Sequence, residues 1–259
     1  GLCSLRARLS DDSAPAPEGR NVPEPSHSPG ASRVLLFGAT GMVGQGVLRE
    51  CLNDPGVAAV ATVGRSSTGV SHPKLTEVVR EDLFDLSPVE EQLTGFDACF
   101  YCLGVSAAGM SEAEYARLTY DLTLAVAGTL ARRNPAMTFV YVSGLGTDET
   151  EKGSVMWARV KGRTENALAR LPFRAGYLFR PGVIQPVHGA RSRTPSYRVL
   201  YALMGPVLPL ARKLFPGKVA TTETIGRAML AVVRHGAPKA VLGSEEIEAL
   251  ARETAQAKA

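Results

Sequence analysis

Cysteine is scarce in this 259-residue chain: four residues, too few for a disulfide framework and in keeping with a reducing compartment. His27, His72, His188 and His235 show no ligand spacing, so no metal site is expected. Long apolar runs are also missing. The longest uncharged one, 199–211, is broken by Gly205, Pro206 and Pro209 and falls short of the roughly 20 residues that a bilayer-spanning helix needs. No secretory apolar segment follows the first residues, and a cytoplasmic chain is the expectation. Acid is absent from 166–222, where nine Arg and Lys residues stand. The net charge of the whole is +4, so the remainder carries −5. A nucleic-acid footprint would spread its positive charge differently; any attraction for anions is local to this stretch.

The chain is 45% hydrophobic and long enough to bury a sizeable core without a disulfide or metal. Residues 1–32 are rich in Pro and Ser and read as a disordered tail, with a transit peptide as an alternative that Asp11 and Asp12 weaken. From Arg33 onward, short apolar runs at 34–37, 57–63, 75–79, 98–103, 138–142, 175–179 and 240–242 alternate with helical patterns. Helices are expected after Gly41, over 111–130 (Ser111 and Glu114 forming a capping box), 155–171 and 222–233, with a last one from Ser244. Strands without polar alternation, separated by helices, belong to a parallel sheet covered on both faces. The expected fold is α/β: one doubly wound parallel-sheet domain over 33–243, with a small insertion at 182–219 on the substrate side and a closing helix at 244–259.

The first strand runs into Gly38-Ala39-Thr40-Gly41-Met42-Val43-Gly44, a glycine-rich turn that opens a helix. Such glycines permit a tight turn and close backbone approach, and the helix N-terminus then holds a pyrophosphate. In this context the turn reads as a dinucleotide site. The second strand ends in Val63-Gly64-Arg65-Ser66-Ser67, without the acid that would accept from a ribose 2′-hydroxyl. Arg65 offers a planar fork for a 2′-phosphate, which favours NADP(H) over NAD(H).

These features, with Asp82-Leu83, Cys102-Leu103-Gly104, Ser143, Lys161-Gly162 and Arg180-Pro181-Gly182, resemble an atypical short-chain dehydrogenase/reductase. The likeness is to the bacterial epimerase/dehydratase-like group, related to the Tat-interacting oxidoreductase-like branch. It covers roughly 33–243 and implies a Rossmann domain of about seven strands. It also implies a cofactor contacted by Gly38, Thr40, Gly41, Met42, Val43, Gly44 and Arg65. Asp82 and Leu83 would lie by the adenine, Leu103 and Gly104 by the ribose, Lys161 at the nicotinamide ribose, and Pro181 and Val183 by the nicotinamide.

The family's catalytic groups are Ser, Tyr and Lys, the last two four residues apart on one helix face. Ser143 and Lys161 match; Trp157 stands where the Tyr is expected. An indole N–H donates but cannot act as acid or base near neutral pH. Three readings stay open. The chain binds NADP(H) without turnover as a sensor or scaffold; or Tyr120, Tyr177 or His188 carries the proton; or hydride transfer proceeds with water or substrate as the acid. An oxidoreductase or epimerase-like enzyme on a small molecule leads, and the basic stretch suits an anionic one. Cys99-x-x-Cys102 reads as core packing, since strand residues three apart face opposite ways. The basic, apolar arm 191–218 reads as a lid, with membrane contact or a dimer surface as alternatives.

Overall fold

Val34, Leu35, Leu36 and Phe37 are consecutive and fully buried, because side chains alternate across a strand that has a core on each face. Val34 and Leu36 enter one core, Leu35 and Phe37 the other. They form the centre of β1 (Ser32–Phe37) in a computed structural model that describes residues 31–191 and 219–256. Most of the expected tail, the arm at 192–218 and the end of the last helix lie outside the described residues.

The other strands of the sheet are β2 (Val57–Gly64), β3 (Leu75–Val79), β4 (Ala98–Tyr101), β5 (Thr138–Val142), β6 (Ala175–Arg180) and β9 (Val241–Gly243). All seven pair in parallel in the order β3-β2-β1-β4-β5-β6-β9. Helices α1 (Met42–Asn53), α5 (Thr222–His235) and α6 (Ser244–Gln256) supply the core on one face. On the other lie α3 (Leu122–Arg133) and α4 (Met156–Leu168). This is the doubly wound Rossmann arrangement. Its strand order reverses between β1 and β4, and ligands bind at the carboxyl ends of the strands there.

Two local departures from the expected elements stand out. Ser111 caps α2 (Glu112–Ala116) with the full reciprocal box to Glu114, but the helix does not run on evenly: a π-helical stretch, Arg117–Asp121, precedes α3. The aperiodic insertion also contains regular structure. Its start, β7 (Val183–Gln185), pairs with β8 (Val219–Thr221) as a separate two-stranded parallel sheet.

Candidate functional site

The turn after β1 is shaped by backbone rather than side chains. Gly38 has φ +80°, and a Cβ placed on it would lie 2.6 Å from the backbone of Cys102 and Leu103. Gly44 lies so close to the Gly38 carbonyl that a Cβ there would collide with it. Gly41 donates its N–H to Gly38 O at 2.9 Å and is the N-cap of α1, so no capping side chain competes for the first helical N–H groups. The first turn of α1 carries no acid. A helix start of this kind, with side chains kept out by packing, suits a pyrophosphate.

Beside it a pocket is lined by Gly38, Thr40, Arg65, Ser66, Leu83 and Leu103, among others. Arg65 is exposed on its rim. Glu77 of β3 also lines it, but its carboxylate is engaged: Ser67 Oγ donates to it at 2.6 Å, and Thr68 through N at 2.7 Å and Oγ1 at 2.5 Å. These bonds hold Glu77 below the usual carboxylate range. Asp82 is exposed and does not line the pocket; it accepts from Phe84 N at 2.9 Å and shapes the turn that presents Leu83. Met42 and Val43 open α1 half-buried, and Gly104 is exposed after β4. On the other side of Thr40 lies an open groove of about 840 Å³, lined by Gln45, Arg49, His188 and Glu223 among others.

At the end of β5, Ser143 is buried and Lys161 half-buried. The Lys161 ammonium donates to the backbone carbonyl of Ser143. Burial pushes Lys161 down to about 8, against the opposing pull of Glu165. The Ser143 hydroxyl donates to Glu165 Oε1 at 2.5 Å. Pro181, just past β6, accepts from Leu145 N at 2.8 Å, which ties the loop after Ser143 to the segment leading to Val183. Val183 is 49% exposed.

Trp157 starts α4 one turn before Lys161, with its ring beside Gly146: a Cβ on that glycine would come 3.3 Å from the ring's edge. Two of the other proton-carrier candidates have their polar atoms engaged elsewhere. Tyr177 is buried and its hydroxyl accepts from Ala237 N at 3.2 Å. The Tyr120 ring lies under the Arg163 guanidinium at 4.1 Å. His188 pairs with Glu223 at 2.5 Å on the far groove. Cys99 and Cys102 pack against opposite cores. Glu165 is absent from the sequence-derived candidates, and Arg180 enters there only as part of the Arg180-Pro181-Gly182 motif. Glu165 follows Lys161 by four residues, a spacing visible in the chain, but its partner on β6 appears only once the strands pair.

A family described as NAD(P)H-binding matches residues 38–170. The protein fmp52, mitochondrial, of Emericella nidulans is 29% identical over 205 residues, which span 76% of this chain and 85% of the relative. Protein HTATIP2 of Rattus norvegicus is 28% identical over 153 residues, 58% of this chain and 62% of that protein. Among solved structures, the Bordetella bronchiseptica enzyme WbmF in complex with NAD+ superposes with a TM-score of 0.60 at 17% identity, covering 88% of this chain and 78% of that one. These findings bear out the resemblance to the atypical short-chain dehydrogenase/reductase group. They overturn the expectation of a cytoplasmic chain, because fmp52 relatives from three fungi carry a mitochondrial label. Sparse cysteine suits any reducing compartment, so composition could not separate the two. Among the described residues, no helix is long and apolar enough to cross a membrane.

Proposed function

This chain belongs to the NAD(P)H-binding family, and on that premise we propose that it is an NADP(H)-dependent oxidoreductase or epimerase-like enzyme of short-chain dehydrogenase type, acting on a small molecule without a tyrosine acid. The observation that carries this reading is the juxtaposition at one sheet edge: the glycine turn after β1, and Lys161 against Ser143 at the end of β5, two strands away. The backbone of Gly38, Thr40, Gly41, Met42, Val43 and Gly44 would hold the pyrophosphate. Leu83, Leu103 and Gly104 would flank the adenosine, and Pro181 and Val183 the nicotinamide. When bound, the nicotinamide supplies hydride-transfer chemistry. NADP(H) is favoured over NAD(H) because Arg65 is exposed on the pocket rim, while the acid nearest to it in the pocket, Glu77, is tied up by Ser67 and Thr68.

Lys161 offers a cationic donor to ribose hydroxyls. Trp157 offers at most an N–H donor, so a proton consumed or released at the substrate passes to water or to the substrate itself. One observation favours a second reading, a binder without turnover: the Tyr177 hydroxyl and the His188 ring are engaged by Ala237 and Glu223. Fluorescence titration with NADPH and NADH, followed by a panel of carbonyl and alcohol substrates monitored at the nicotinamide absorbance, separates the two. Binding with turnover supports the enzyme, binding without turnover the sensor. No binding of either nucleotide refutes both.

A further inference from the structure

Beneath Lys161 and Ser143 lies a buried ion pair to which the proposed chemistry gives no part. Glu165 is 2% exposed, and Arg180 Nε donates to Oε1 at 3.1 Å and to Oε2 at 3.2 Å. Arg180 Nη2 adds a bond to Oε2 at 2.5 Å and reaches Glu149 at 3.4 Å. With Arg180 donating to both oxygens, Glu165 acts as an acceptor. The proton in its 2.5 Å contact with Ser143 Oγ therefore belongs to the serine. That hydroxyl has only one proton to give, and its other acceptor, the Phe179 carbonyl, lies farther off at 3.2 Å.

We infer that Glu165, fixed by Arg180, is the positioning residue of this site: it takes the hydroxyl hydrogen bond of Ser143 and holds its carboxylate on the helix face that also carries Lys161. The inference rests on reading Ser143 and Lys161 as site residues. Glu165 stands four residues after Lys161 on α4, so both side chains leave the same helix face. The groups facing this cluster come from every neighbouring element. Tyr141 on β5 lies with its ring 6.0 Å from Lys161 Nζ and is close to Tyr115 of α2; Arg180 is on β6, and Glu149 in the loop after β5. Of these, Glu165 is the charge that raises Lys161 against its burial.

A simple staple between α4 and β6 would look similar, so the test must read something a staple does not move. In the nucleotide-free protein, the Lys161 Nζ resonance, assigned through Lys161→Arg, is followed against pH by 15N NMR. The wild-type midpoint is expected near 8. Glu165→Gln keeps the volume but removes the charge, and should lower that midpoint by about one unit or more, while Glu165→Asp should restore it toward wild type. An unchanged midpoint in a folded Glu165→Gln variant overturns the inference and leaves only the staple. Should that variant not fold, the wild type supplies the second measurement: a downfield, slowly exchanging hydroxyl proton that vanishes in Ser143→Ala. Absence of that resonance equally overturns it. None of these measurements uses nucleotide. If Lys161 responds as expected and NADPH does not bind, the proposed function fails and the positioning role stands. If NADPH binds and turns over while Lys161 does not respond, the function stands and the positioning role fails.

Discussion

Lys161 meets Ser143 at its backbone carbonyl, while the serine hydroxyl is directed onto Glu165. The ammonium is thus anchored by main chain in a partly dry setting, which gives it a titration in an accessible range. Its pKa sits near 8 in the folded chain against an ordinary 10.5. Between those values the unfolded chain still holds a proton that the folded chain has released, so this group makes stability rise with pH there and costs stability below pH 8. Lys161→Met lacks that slope. Its stability advantage over wild type should shrink by on the order of 1–3 kcal/mol from pH 8 to 10.5, read from denaturant midpoints at each pH. NADPH affinity should move oppositely, falling as pH passes 8 and the ammonium is lost. Parallel stability curves for the two proteins would show that the lysine is not held down by burial.

Arg65 should decide the nucleotide. A guanidinium on a 2′-phosphate forms charge-assisted bonds that NADH cannot offer, each worth roughly 1.5–3 kcal/mol. Wild type should prefer NADPH by about tenfold or more, the equivalent of 1.4 kcal/mol, and Arg65→Ala should lose that preference while keeping its NADH affinity. Equal affinities in the wild type would remove the argument. Glu77→Gln sharpens the test: with its carboxylate already occupied by Ser67 and Thr68, the substitution should change the preference little.

The glycine turn should tolerate no side chain. Gly38→Ala forces an L-residue to φ +80° and sets a methyl 2.6 Å from the backbone of Cys102 and Leu103, close to the pocket that Gly38 and Leu103 line. Backbone strain of this sort costs about 1–3 kcal/mol. At roughly 2–4 °C per kcal/mol for a chain of this size, thermal unfolding should fall by several degrees. Calorimetry beside an NADPH titration should show both effects together, because the same backbone that resists the methyl would carry the phosphates.

The parts of this molecule that could be read from the chain are those fixed by local spacing. The inner strands β1, β4 and β5 appear as continuous apolar runs because both their faces are buried, and Val34 to Phe37 show it most plainly, whereas the edge strand β3 buries only Val78. The placement of Lys161 on a helix and Ser143 at a strand end follows from the same reasoning. What stayed hidden depends on pairing between distant segments. Arg180 reaches Glu165 only because β6 lies beside β5, and Glu77 reaches Thr68 only because β3 lies beside β2. The π-helical stretch after Ala116 left no periodic trace, since a single extra residue in a turn barely disturbs a 3.6-residue pattern. The mitochondrial label of the fmp52 relatives lay out of reach for a different reason: composition reports redox conditions, not compartment.

Trp157 provides the most direct probe of chemistry. It stands in the first turn of α4 four residues before Lys161, so a side chain there and the ammonium share a helix face. Trp157→Tyr replaces an indole donor with a phenol that can give and take a proton, and the nearby cation should favour its phenolate. The smaller ring also vacates space beside Gly146, so a stability loss of about 1 kcal/mol accompanies the change. General acid–base catalysis by a positioned side chain contributes typically 10²–10⁴-fold, and even partial alignment should raise NADPH-dependent turnover on a carbonyl panel by at least about tenfold. The double variant Trp157→Tyr with Lys161→Met should lose that gain, since the phenol then lacks its cation. If Trp157→Tyr binds NADPH as wild type does and turns over no faster, the proton does not pass through this helix face, and water or substrate carries it instead.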